Sequence, residues 1–97
     1  MDIHTLRDLV REGKRDFRWH ALRECRAEGI AAAEVDEAVL SGEIIKEQEG
    51  SFGTTYLVEG VSGLGRRLRV VCGLEASQED QQVWYVTAYE RQTRRQR

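Results

Sequence analysis

The chain has 97 residues, 40% of them hydrophobic and 33% charged, with a formal net charge of −2. That length holds one small core, the balance excludes a disordered chain, and no apolar run approaches the length of a membrane span. The acidic sum speaks against a broad nonspecific nucleic-acid binder, which needs a large positive face.

The charge is unevenly spread. Residues 31–60 carry one basic residue, Lys46, against seven acidic ones, whereas residues 61–97 carry seven basic against four acidic. The cluster Arg66, Arg67 and Arg69 either offers phosphate contacts or pairs with the acidic segment at the surface. The opening MDIHTLRDLV has no basic region followed by an apolar stretch, so a secretory signal is not expected. Cys25 and Cys72 are isolated, without CxxC spacing, and read as reduced core residues. A cytoplasmic location is the expectation that follows.

The first helix starts after Asp2, a good N-cap, carries Ile3, Leu6, Leu9 and Val10 on its apolar face and stops by Gly13. Lys14 to Asp16 reads as a charged connection. A second helix spans Arg18 to Glu28 with Trp19, Ala21, Leu22 and Cys25 facing inward, and Gly29 suits its left-handed end. A third spans Ala32 to Ser41 with Val35, Ala38 and Val39 as its stripe, closed by Gly42. The period then changes from helical to alternating. Strands are expected at Ile44–Glu49, Thr54–Val61, Arg67–Leu74 and Val83–Tyr89, separated by turns at 50–53 and 62–65 and a polar loop at 75–82. The fold class is α+β, with two to three N-terminal helices on one face of a four-stranded antiparallel sheet. Residues 1–90 form the domain and 91–97 a polar tail.

Alternation assigns Leu68, Val70, Cys72, Leu74, Trp84, Val86 and Ala88 to the buried face, with Trp84 its largest member. The opposite face then gathers Arg67, Arg69, Tyr85, Thr87 and Tyr89. Register follows from matching apolar faces: Arg69 beside Tyr89 and Val71 beside Thr87. Cations and hydroxyls on an uncovered face suit a phosphate or a stacked base, provided Arg69 and Tyr85 share that face. The alternative is an amphipathic face of ordinary density.

His20 is the strongest hint of chemistry. It stands at the start of the second helix, where the macrodipole favours the neutral imidazole that takes up a proton. The alternative is a histidine that only caps or packs the helix. His4 and His20 lie on different helices without ligand spacing, so no metal site is expected.

His20-Ala21-Leu22, Gly29-Ile30, the acidic helix with Glu34-Val35 and Glu37-Ala38, and Ser41-Gly42-Glu43-Ile44-Ile45 resemble domain-of-unknown-function family 4258. Leu68-Arg69-Val70-Val71 and Val86-Thr87-Ala88-Tyr89 resemble that family's last two strands. The resemblance runs from Ile3 to about Glu90. It implies a RelE-like fold among the RelE-like and barnase-like toxin ribonucleases, often encoded beside an MqsA-type zinc-finger antitoxin. The implied activity is metal- and cofactor-independent RNA cleavage by 2′-hydroxyl attack. His20, Thr87 and Tyr89 are then catalytic, and Arg67, Arg69 and Arg23 hold RNA phosphate. Glu24 stands where the family usually has an arginine one turn after the histidine, and Glu28 where a second basic residue is usual. A non-catalytic relative that binds a partner protein or RNA through the sheet face is the alternative.

Overall fold

In the computed structural model, which describes residues 2–50, 53–76 and 81–91, the three expected helices form where the caps and stripes place them. Helix α1 (Ile3–Arg11) begins at Asp2, whose carboxylate accepts the Thr5 backbone N–H at 3.1 Å, and it buries Leu6, Leu9 and Val10. Helix α2 (Trp19–Glu28) ends at Gly29, with φ of 68°. Helix α3 (Ala32–Ser41) buries Val35, Ala38 and Val39. Ala31 has no side-chain acceptor to cap α3, and Glu34 instead reaches back to the Ala31 N–H at 3.1 Å. Among the described residues no helix is long and apolar enough to cross a membrane.

The strands are β1 (Arg15–Phe17), β2 (Glu43–Gly50), β3 (Gly53–Val61), β4 (Arg67–Ala76) and β5 (Gln81–Glu90). They form a five-stranded mixed sheet in the order β1-β5-β4-β3-β2, not the expected four-stranded antiparallel one. The added strand, β1, pairs parallel to β5 in the stretch expected to be a charged connection. Its alternation is short but real. Arg15 turns inward because Asp36 of α3 receives both its Nε (2.9 Å) and its Nη2 (2.7 Å), and Phe17 packs edge-on against Tyr85 at 4.9 Å.

The helices cover one face of the sheet. α3 lies so close to β3 that a Cβ on Gly60 would fall 1.8 Å from the Ala38 carbonyl oxygen. Only glycine fits there. α2 follows β5, and Ala21 and Cys25 bury against it while Trp19 (65% exposed) and Leu22 (36%) face outward. This corrects the expected inward stripe of α2. Small side chains let the helix approach the strand, and the large apolar pair is left on its far side.

The register of β4 on β5 matches Arg69 with Tyr89 and Val71 with Thr87, as the apolar pattern requires. The next pair is Cys72 with Tyr85, so Val86 is an extra residue, a bulge. The bulge reverses which β5 side chains face the helices. Val83 and Tyr85 are fully buried with Ala88, while Trp84 and Val86 move to the opposite face. The expectation that Trp84 and Val86 are core and Tyr85 open is thereby corrected. Trp84 instead has the Arg18 guanidinium stacked on its ring at 4.0 Å, the Glu75 carboxylate at its indole N–H and neighbours on an uncovered sheet face. Trp84→Ala should therefore cost about 1–2 kcal/mol, less than a core aromatic, measured by urea unfolding.

Candidate functional site

Two features stand out: a histidine–carboxylate pair on α2 and a hollow on the uncovered sheet face. β1 pairs with β5 only as far as Tyr85, so the outer edge of β5 beyond the bulge has unpaired amides. Glu24 and Glu28 of α2 satisfy them. The Ala88 N–H donates to Glu24 Oε1 at 3.1 Å and the Glu90 N–H to Glu28 Oε1 at 3.0 Å. The acidic residues at these positions thus have a structural task that arginine would not perform. Glu24 then has its second oxygen free, and His20 Nε2 stands 3.4 Å from it. The His20 side chain is 66% exposed and that of Glu24 27%. An accessible imidazole therefore stands beside a fixed carboxylate, a pairing of the kind that can orient a proton-transferring histidine. Sequence reasoning missed Glu24 as a functional partner. The signal was the four-residue spacing, which places both side chains on one helix face.

The uncovered face is built of cross-strand rows. One row runs Glu43, Glu59, Arg69, Tyr89; the next Lys46, Leu57, Val71, Thr87; the third Gln48, Thr55, Gly73, Trp84. Arg69 and Tyr85 lie on opposite faces, so the expected phosphate site around Arg67, Arg69, Tyr85, Thr87 and Tyr89 does not assemble. Arg69 is turned toward Glu59 (3.9 Å), which Arg91 also pairs at 3.0 Å. Arg67 is exposed beside Arg91 and Glu59 at a separate shallow cleft. Thr87 and Tyr89 flank Ala88 and alternate away from the helices. Among the described residues no hydrogen bond joins them to His20. Arg23 lies exposed on α2, three residues after His20. Among the described residues no group of His, Cys, Asp and Glu side chains is arranged to hold a metal ion.

Arg66, counted with the phosphate cluster, is a structural cation. It lies 3.4 Å from the buried Glu34 and donates to the carbonyls of Glu28 (3.2 Å) and Gly29 (3.1 Å). Glu34 also accepts from Ser62 Oγ at 3.0 Å. The Ala31 N–H, against the cost of burial, and then the Ser62 hydroxyl and Arg66 hold the Glu34 carboxyl below its ordinary value of 4.5. A carboxyl depressed on folding stabilises the fold above its unfolded pKa and loses that contribution as pH falls through its folded value. Unfolding midpoints should therefore fall as pH drops below 4.5, and Glu34→Gln should flatten that fall.

The hollow, of about 500 Å³, is floored by Gly73 and walled by Trp84, Arg18, Thr55, Glu75 and Val86. A Cβ on Gly73 would stand 3.7 Å from Val86 and 4.0 Å from Thr55, so the missing side chain leaves the opening between them. The Trp84 indole N–H donates to Glu75, which fixes the ring edge-on to the carboxylate. Arg18, the residue before α2, lines the hollow, and His20 follows it by two residues in the chain.

The sequence pattern described as "Domain of unknown function (DUF4258)" matches residues 17–90, from the end of β1 through β5, and so takes in both features. No curated protein and no solved structure matches the chain.

Proposed function

The chain belongs to the DUF4258 family, whose description assigns no activity, and from the geometry at the start of α2 we propose that it cleaves RNA without a metal ion. The observation that carries this reading is the exposed His20 imidazole beside a Glu24 carboxylate that the β5 backbone anchors. In the proposed reaction His20 takes the proton of a ribose 2′-hydroxyl. The 2′-oxygen attacks the adjacent phosphorus, the bond to the 5′-oxygen breaks, and water protonates that oxygen. The products are a 2′,3′-cyclic phosphate and a 5′-hydroxyl. Glu24 orients the imidazole, and Arg23, exposed three residues after His20, is assigned the contact with the phosphate. Arg69, turned toward Glu59, is not assigned that role, and Thr87 and Tyr89 are left as supports for the strand of bound RNA.

A toxin role, a RelE-like architecture and neutralisation by an MqsA-type zinc-finger protein rest on the sequence resemblance. The non-catalytic alternative also has an observation in its favour: Arg67 and Arg69 lie beside Glu59 rather than around a shared anion site. The purified protein, incubated with an RNA oligonucleotide and EDTA, separates the two. Cyclic-phosphate ends in the presence of the chelator, together with growth arrest on expression without a partner, support cleavage. RNA retention without new ends supports binding alone.

A further inference from the structure

We propose that the hollow between β3, β4 and β5 is a subsite for a guanine base. This deepens the RNA reading above and rests on it for the substrate class. Three features of the hollow select a flat ring with hydrogen-bond donors. Gly73 supplies a floor without a side chain, so a planar group can approach the sheet backbone. The Trp84 indole, with Arg18 stacked at 4.0 Å, supplies an aromatic and cationic wall of the kind on which bases stack. Glu75 supplies the edge contact. A carboxylate has about four acceptor sites, and Trp84 Nε1 engages only one oxygen of Glu75.

The identity of the base follows from its donors. Guanine presents N1–H and the N2 amino group side by side, two donors matched to a carboxylate. Adenine and cytosine place a ring acceptor beside their amino group, and uracil flanks its single N–H with carbonyls. Each of these sets an acceptor against Glu75. The same carboxylate argues against a phosphate in the hollow, since among the described residues Arg18 is the one cation lining it. Arg18 links the hollow to α2, and in this proposal the ribose of the seated base extends past Arg18 toward His20. The subsite therefore sets which nucleotide adjoins the cleaved bond.

The test is calorimetric titration of the full chain with GMP, AMP, CMP and UMP, backed by quenching of Trp84 emission in a Trp19→Phe variant. GMP should bind at least about tenfold more tightly than the other three, the discrimination expected of a paired base contact. Glu75→Gln should abolish the preference and Trp84→Ala should weaken binding of every nucleotide, with circular dichroism confirming that both variants fold. Absence of saturable binding, equal binding of all four, or a preference that survives Glu75→Gln overturns the proposal. GMP selectivity without RNA cleavage upholds the subsite and defeats the cleavage reading. Cleavage without base preference does the reverse.

Discussion

Replacing Tyr85 with alanine is expected to destabilise the protein by about 3–5 kcal/mol, enough to unfold much of a marginal chain. Tyr85 is the largest fully buried side chain among the described residues. Its ring meets Phe17 edge-on, and its hydroxyl donates to Asp36 Oδ1 at 2.7 Å. Burial pushes the phenol up, so it remains a neutral donor at physiological pH. The same Asp36 receives Arg15, so Tyr85 ties β5, β1 and α3 together at one point. Truncation opens a cavity and removes the donor at once. Tyr85→Phe isolates the second effect and should cost about 1–2 kcal/mol. Urea midpoints for both variants, set beside Trp84→Ala, give the ranking. A larger loss from Trp84→Ala than from Tyr85→Ala would reverse the inside and outside of β5 and overturn the bulge at Val86.

His20→Ala should lower the rate of RNA cleavage by roughly 10²–10⁴ while leaving the melting temperature nearly unchanged. The imidazole is mostly exposed, and its recorded contact is with Glu24, so its removal opens no cavity. Glu24→Gln retains an acceptor for the Ala88 N–H and removes the charge that orients and supports the imidazole. Its rate should lie between wild type and His20→Ala. Glu24→Ala leaves the Ala88 amide without its partner and should cost stability as well, so the glutamine variant is the informative one. Equal cleavage by wild type and His20→Ala would move the chemistry to another residue.

Much of the fold was legible from local pattern. The three helices, the four long strands and the pairing of Arg69 with Tyr89 followed from apolar spacing, Asp2, Gly29 and the requirement that buried faces meet. These are short-range properties, set by which residues recur every third or fourth position or every second one. His20 was legible as a helix-start histidine for the same reason.

Pairings that depart from the local apolar pattern were not legible. β1 is three residues long and reads as a charge run until Asp36, twenty-one residues on from Arg15, turns the arginine into an inward residue. The bulge at Val86 has no glycine to mark it. It exists because the β5 side chains must satisfy Cys72 and Leu74 on one side of it and Leu68 and Val70 on the other. That single inserted residue exchanged Trp84 for Tyr85 in the core and opened the hollow beneath the indole. Likewise the arginines after the turn at 62–65 leave phosphate contacts and pairing with the acidic segment both open from their density. Arg66 and Arg69 meet Glu34 and Glu59, carboxylates of that segment brought near by sheet and helix packing. The sequence by itself determined the elements and their amphipathic faces, because those depend on neighbours along the chain. The tertiary structure alone decided which face of β5 is buried, which arginines pair, and that Glu24 stands between His20 and the strand, because each depends on partners distant in sequence.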